Sequence, residues 1–235
     1  MKKGRLYIIP APLSDSDVSD SIPAKVKSVV GNLKYFVVED LRTARRYISK
    51  LKTDTPIEEL NFSLFNEHTD ITDVASLLTP VFRGYDLGLL SDAGMPCIAD
   101  PGEELVQLAH SSGITVVPLA GPSSIFLALA ASGLSGEKFS FEGYLPAKTP
   151  DLIKSVRKLE QQSRRDSRSR IFIETPYRSA GIFDTILNVC SPDTFICVAC
   201  NITAADEFIR TLQVKEWRKN IPELNRKPCI FILQA

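Results

Sequence analysis

A chain of 235 residues, 44% hydrophobic and 24% charged, is long enough for one large or two modest domains and has an ordinary globular composition. Its 28 Lys and Arg exactly offset 28 Asp and Glu, which excludes a surface that grips long nucleic acid by overall charge while leaving room for a local basic patch. No apolar run approaches the roughly 18 residues that cross a bilayer, and the opening MKKGRLYIIPAP lacks a signal-peptide hydrophobic stretch, so a cytoplasmic protein without membrane contact is expected.

Residues 5–9 read as a short strand, broken by Pro10-Ala11-Pro12-Leu13 into a stiff loop at its end. Ser21 is placed to cap a helix with Pro23 in its first turn, ending near Gly31. A buried strand at 35–38 delivers Glu39-Asp40-Leu41-Arg42-Thr43 to the same edge, and 44–51 follows as helix. A third strand, 61–65, runs into Asn66-Glu67-His68-Thr69-Asp70, with helix from there to about Phe82.

The apolar run 87–90 is the next strand, and Ser91-Asp92-Ala93-Gly94 opens a loop carrying Pro96 and Pro101. Asp100 stands where an N-cap belongs, Pro101 has a helical φ, and Glu103 completes a capping box. The amphipathic helix that follows (Leu105, Val106, Leu108, Ala109) stops at Gly113. A strand at 114–119 and a second loop, Gly121-Pro122-Ser123-Ser124, lead into a helix at 123–131.

In the second half the pattern predicts strand 139–144, helix 150–162, strand 170–174, helix 177–189, strand 194–201 and a last strand 228–233. The polar stretch 163–170, SRRDSRSR, reads as a mobile connection. Strand and helix alternate, which predicts an α/β fold with right-handed crossovers. The reading gives two α/β domains, 1–119 with a parallel sheet and 120–235 with a mixed sheet. Between 148 and 170 eight Lys and Arg face three acids, the one basic concentration in the chain. The five cysteines (97, 190, 197, 200, 229) are odd in number, and Cys197 and Cys200 lie close with no second pair beside them. Buried free thiols are expected, with zinc a poor second and no metal site foreseen.

Three motifs carry a resemblance. SDAGMPCIADPG (91–102), PLAGPSS (118–124) and FEGYLP (141–146) together resemble the tetrapyrrole methylase superfamily of S-adenosylmethionine-dependent methyltransferases. Within it the sequence is most similar to the branch that methylates a ribose 2′-hydroxyl in small-subunit ribosomal RNA. That branch continues past the last strand with a small helical extension, which is lacking from the sequence up to Ala235.

The resemblance implies an S-adenosylmethionine cleft between two α/β domains, a homodimer, and RNA of the small ribosomal subunit as partner. It places Pro12 and Leu13 as one wall, Asp92, Met95 and Ile98 at the amino-acid and ribose portion, and Ser123 and Ser124 at the methionine end. Thr175, Ile202 and Thr203 would frame the adenine. Taken residue by residue, Asp and Ser in such loops also cap helices whether or not anything binds.

A ribose hydroxyl needs a base to take its proton, and Glu39, Glu67 and His68 stand at strand ends where one belongs. Arg42 suits a phosphate, although Glu39 or Asp40 with Arg42 equally makes an internal ion-pair set. Glu174-Thr175-Pro176-Tyr177-Arg178 matches the family's Glu-Ser-Pro-His-Arg with Tyr177 in place of His, and would meet RNA by Tyr stacking or Arg178 contacts, or simply start a helix. The sequence departs from the family's Arg-Glu-Leu-Thr-Lys at Cys200-Asn201-Ile202-Thr203-Ala204. That departure keeps two alternatives open: methylation of a small anionic, tetrapyrrole-like substrate, and a non-catalytic cofactor-binding module.

Overall fold

The structure is a computed structural model that describes residues 2–15, 17–66, 69 and 71–235, of which 71–73 by backbone alone. The chain divides into two compact units, Met1–Ser123 and Ser124–Ala235.

In the first unit the strands are β1 (Arg5–Ile9), β2 (Tyr35–Val38), β3 (Asn61–Leu64), β4 (Leu87–Leu90) and β5 (Thr115–Pro118). They form one sheet in the order β3-β2-β4-β1-β5, with every pairing parallel. All four residues of β4 are buried, as a strand with neighbours on both edges and helices on both faces requires. The edge strands β3 and β5 are mostly exposed, and Pro118 sits on β5, where its missing N–H interrupts no central ladder.

Alternation sends Ile9, Phe36 and Leu90 to one face. There they meet Val26 and Val30 of α2 (Ala24–Val30) and Ala44 and Ile48 of α3 (Leu41–Lys50), with the short α1 (Val18–Ser21) preceding them. Leu6, Val37, Leu87 and Leu89 point to the other face. That face is closed by Val74 of α4 (Ile71–Leu77), Val81 of α5 (Thr79–Phe82) and Leu105 and Ala109 of α6 (Glu103–Ser111).

Two helix starts differ from expectation. The helix expected to be capped by Ser21 is α2, whose N-cap residue is Pro23 with no side-chain cap; Ser21 instead ends α1, which Asp17 caps by accepting from the Ser19 N–H at 2.9 Å, and Pro23 separates the two helices. The helix expected from residue 44 begins at Leu41, since Asp40 accepts the Thr43 N–H at 2.8 Å.

The second unit holds β6 (Phe139–Tyr144), β7 (Ser169–Glu174), β8 (Phe195–Cys200), β9 (Phe208–Gln213) and β10 (Cys229–Gln234), in the order β6-β7-β10-β8-β9. Only β6 and β7 pair in parallel; the other pairings are antiparallel, so the sheet is mixed. The core is built by α8 (Thr149–Asp166) and α9 (Ser179–Val189), which bring Val156, Phe183 and Ile186 onto Phe172, Val198 and Phe231. The unit begins with α7 (Ser124–Ser132). A single turn, α10 (Val214–Trp217), drops Trp217 into the core, where its indole N–H donates to the Ile196 carbonyl at 2.9 Å and its ring stands edge-on to Phe183.

Residues 163–170 are not a mobile connection. They are the last turn of an 18-residue helix, a left-handed Ser167 and the start of β7. Ser163 Oγ donates to the Arg168 carbonyl at 2.7 Å, and the buried Arg170 guanidinium is held by Asp166, by Ser140 Oγ at 2.8 Å and by Glu142 at 3.4 Å. A second correction concerns the cysteines. Cys200 and Cys229 face each other across β8 and β10 and form a disulfide, leaving Cys97, Cys190 and Cys197 free.

Candidate active site

Because all strands of the first sheet run the same way, the loops after β1, β2, β4 and β5 emerge at one edge. This is where an open α/β sheet binds its ligands. Those loops are fastened to one another. The Ala11 N–H donates to the Gly94 carbonyl at 2.8 Å and the Gly94 N–H returns a bond to Ala11 at 3.0 Å, joining the loop after β1 to the loop after β4. The Asp92 N–H donates to Glu39 Oε2 at 3.2 Å, which adds the loop after β2. The loop after β5 is packed so close that a Cβ on Gly121 would lie 2.1 Å from Pro10 Cβ. Beneath them the buried Tyr47 hydroxyl donates to the Pro10 carbonyl at 2.8 Å, and burial pushes that phenol well above its ordinary value.

The loop 91–102 owes its shape to unusual backbone. Gly94, Cys97, Ala99 and Gly102 all have φ between 64° and 140°, so non-glycine residues hold left-handed geometry at two positions, costing about 1–2 kcal/mol each. Gly102 is obligatory on a second count, since a Cβ there would stand 2.6 Å from Cys97 Sγ. Helix α6 consequently starts at Glu103 with Gly102 as its N-cap residue and no side-chain cap. The capping box on Asp100 and Glu103 does not form. The turn through Ala99 and Gly102 instead carries the Asp100 carboxyl back to the Ser91 side chain.

Asp100 is thereby the group that sequence reasoning misassigned. Burial, with Glu39 and Asp92 as negative neighbours, pushes its carboxyl up to about 6, and the Ser91 hydrogen bond only partly offsets this. Asp92 is shifted in the same direction, by burial first and by Asp40 second. The signal was present in the sequence as two acids in one short loop beside Glu39-Asp40. Within the cluster Asp40 pushes Asp92 up, and Glu39 and Asp92 push Asp100 up, so a cation or a hydroxyl donor bound there would relieve it. Nearby, burial pushes the Cys97 thiol up to about 11, which leaves it a packing group rather than a nucleophile.

The other expected positions fall as follows. Pro12 and Leu13 are half-buried on the β1 loop, with a Leu13 methyl 3.2 Å from where a Gly94 Cβ would stand. Met95 is half-buried against the core and Ile98 is exposed on the same loop. Ser123 closes the first unit and Ser124 opens α7, both half-buried. Asp40 is committed to the α3 N-terminus, which lowers its carboxyl through the Thr43 N–H, and Arg42 lies exposed in the first turn. Glu67 and His68 lie outside the described residues.

Within the second unit, Thr175 and the loop Asn201-Ile202-Thr203 gather at one end of the sheet, because Glu174, Cys229 and Cys200 form one cross-strand row. Thr175 donates to Glu174 from its N–H at 2.7 Å and its hydroxyl at 3.2 Å. Ile202 is buried, and Thr203, with φ 69°, donates its N–H to Glu207 at 2.7 Å. Asn201 donates to Asp206 at 2.7 Å, so the two acids after the departure from the family pattern close this loop. Arg178 does not reach outward for RNA. Its guanidinium donates to the Leu145 and Pro146 carbonyls at 3.1 Å each and pairs with the buried Glu174 at 3.3 Å, while Tyr177 is 88% exposed. Among the described residues, no group of three or more His, Cys, Asp or Glu is placed to hold a metal ion, and no helix is long and apolar enough to cross a membrane.

The comparisons with known proteins bear on this geometry. The family model described as Tetrapyrrole (Corrin/Porphyrin) Methylases matches residues 5–217. The chain belongs to the tetrapyrrole methylase family. This methylase is 32% identical over 214 residues to the ribosomal RNA small subunit methyltransferase I of Vibrio cholerae serotype O1, covering 90% of the chain and 69% of that relative. It is 28% identical over 236 residues to the protein of the same name from Pseudomonas aeruginosa, covering 99% and 79%. Among solved structures, it superposes on the methyltransferase CobJ with a TM-score of 0.66 at 16% identity, covering 99% of the chain and 94% of that one. It likewise matches cobalt precorrin-4 methyltransferase CbiF with a TM-score of 0.61 at 18% identity, covering 98% and 94%. At those identities the two structures speak for the fold. Family model and relatives together make the protein a methyltransferase.

Proposed function

We propose that this methylase transfers a methyl group from S-adenosylmethionine to a ribose 2′-hydroxyl of small-subunit ribosomal RNA. The observation that carries the reading is the carboxylate set of Glu39, Asp92 and Asp100, held at the strand ends by the Asp92–Glu39 hydrogen bond and the left-handed turn of 91–102. A ligand carrying an ammonium, a sulfonium and ribose hydroxyls brings positive charge and hydrogen-bond donors to these carboxylates. The relatives' names support the acceptor class.

When bound, S-adenosylmethionine supplies an electrophilic methyl. The chain's task is to hold the acceptor in line, exclude water and take up one proton. Asp92 and Asp100 orient the cofactor's polar groups, while Pro12, Leu13 and the Pro10–Gly121 contact wall it. A strand-end carboxylate receives the hydroxyl proton; Asp100, its carboxyl raised to about 6, and Glu39 beside it stand at that edge. Arg42, exposed at the start of α3, meets a phosphate of the acceptor. The same reading makes the protein a cytoplasmic homodimer, which light scattering checks.

Small ribosomal subunits from a strain lacking the relative's activity, incubated with methyl-labelled S-adenosylmethionine, are expected to take label into an alkali-resistant dinucleotide. Unlabelled RNA, from subunits that a relative's enzyme does methylate, overturns the proposal.

A further inference from the structure

The basic stretch 148–170 is not one surface, and the fold sorts its charges. Arg170 is buried and held by Asp166 and Glu142. Arg168 shares Asp166 at 3.8 Å, and Arg164 lies 3.9 Å from Glu160. Lys148 stands exposed at the N-cap of α8, and Lys154, Arg157, Lys158 and Arg165 remain within the helix, all exposed and with no ion-pair partner among the described residues.

Those four fall on one line of α8. At about 100° per residue they share an arc of roughly 100°, centred opposite the buried Leu152, Val156, Leu159 and Ser163. From Lys154 to Arg165 the strip is about 16 Å long, at 1.5 Å per residue. The acids of the helix do little to neutralise it. Glu160 is turned inward, where it accepts from the Ser191 N–H at 2.7 Å and the Thr194 hydroxyl, and Asp166 is taken by Arg170. Asp151 is exposed at the first turn, and Asp184 is exposed on the neighbouring α9. Lys154 has like charges three and four residues on, an arrangement that disfavours the helix unless something anionic lies along it.

We infer that this face of α8 is a phosphate-tracking strip that positions the RNA acceptor by its backbone. The occupant is RNA rather than a small anion, because four cations spaced along about 16 Å match a row of phosphates and no single carboxylate or phosphate spans them. The inference rests on the proposed RNA substrate.

The test titrates a fluorescent 20-nucleotide single-stranded RNA with wild type, with the K154Q/R157Q/K158Q/R165Q variant, and with K25Q/K27Q/K34Q/R83Q. The last removes the same charge from exposed sites elsewhere. Four lost phosphate contacts lower the salt slope by about 2.8, so between 50 and 200 mM salt the wild type weakens about fifty-fold more than the α8 variant. The α8 variant is also expected to keep wild-type affinity for S-adenosylmethionine and wild-type kcat while its KM for ribosomal subunits rises at least tenfold. An unchanged slope and KM in that variant, with wild type still methylating RNA, overturns this inference alone. An equal loss in the control variant does the same, as does wild-type binding to phosphatidylserine vesicles in place of RNA. A wild type that neither binds nor methylates RNA overturns both this inference and the proposed function.

Discussion

The Asp100 carboxyl gives the sharpest quantitative prediction, because its position costs the fold stability in a defined pH window. In the folded protein it titrates at about 6, against 3.8 for an ordinary aspartate. The folded state therefore binds this proton more tightly than the unfolded chain. Its contribution is fully present below about pH 4 and is lost as pH rises through 6. Two units correspond to about 3 kcal/mol, and solvent at the open side of this half-buried group reduces that to about 1–2 kcal/mol. Asp100→Asn keeps an acceptor for Ser91 and never ionises. Urea denaturation followed by circular dichroism should show the variant's advantage over wild type growing by about 1–2 kcal/mol between pH 4.5 and pH 7.5. A gap that stays constant across that range refutes the argument that burial and the neighbouring carboxylates strain Asp100.

Three further outcomes follow from the packing. Gly121→Ala drives a methyl to within 2.1–2.3 Å of the rigid Pro10 ring, so calorimetry should report a stability loss of about 1–3 kcal/mol and weaker cofactor binding; unchanged values would show that the two loops do not touch. Reducing Cys200–Cys229, or making C200S/C229S, opens a link across 29 residues and should destabilise the second unit by about 2–4 kcal/mol, read from Trp217 fluorescence in urea. Trp217→Phe removes the indole hydrogen bond to the Ile196 carbonyl and shrinks the ring packed edge-on against Phe183, for a loss of about 1–3 kcal/mol read by circular dichroism in urea.

The first sheet was readable where burial was complete. The run 87–90 announces a central strand because nothing polar can sit there, and the loop 91–102 is specific enough to name a family. The exact φ values of that loop were not readable, and they decide that Asp100 faces Ser91 instead of capping α6. In the second unit, β9 was missed because FIRTLQ mixes apolar and polar residues without a clean period and is defined by its pairing with β8. Composition misled at 163–170, where the charges serve one another across a helix end and a strand. The disulfide depends on the register of β8 against β10, which cysteine spacing does not contain. The same limit applied to the basic stretch, where Arg170 is buried on β7 and ion pairs with Glu160 and Asp166 set Arg164 and Arg168 apart from the other exposed cations of α8.

The central claim, that the carboxylates at the carboxyl ends of the first sheet hold S-adenosylmethionine, is tested most directly by calorimetric titration of that compound into wild type and Asp92→Ala. Saturable one-site binding by wild type and at least a tenfold loss in the variant is the predicted result. Equal affinities, or no binding by a folded wild type, would contradict it.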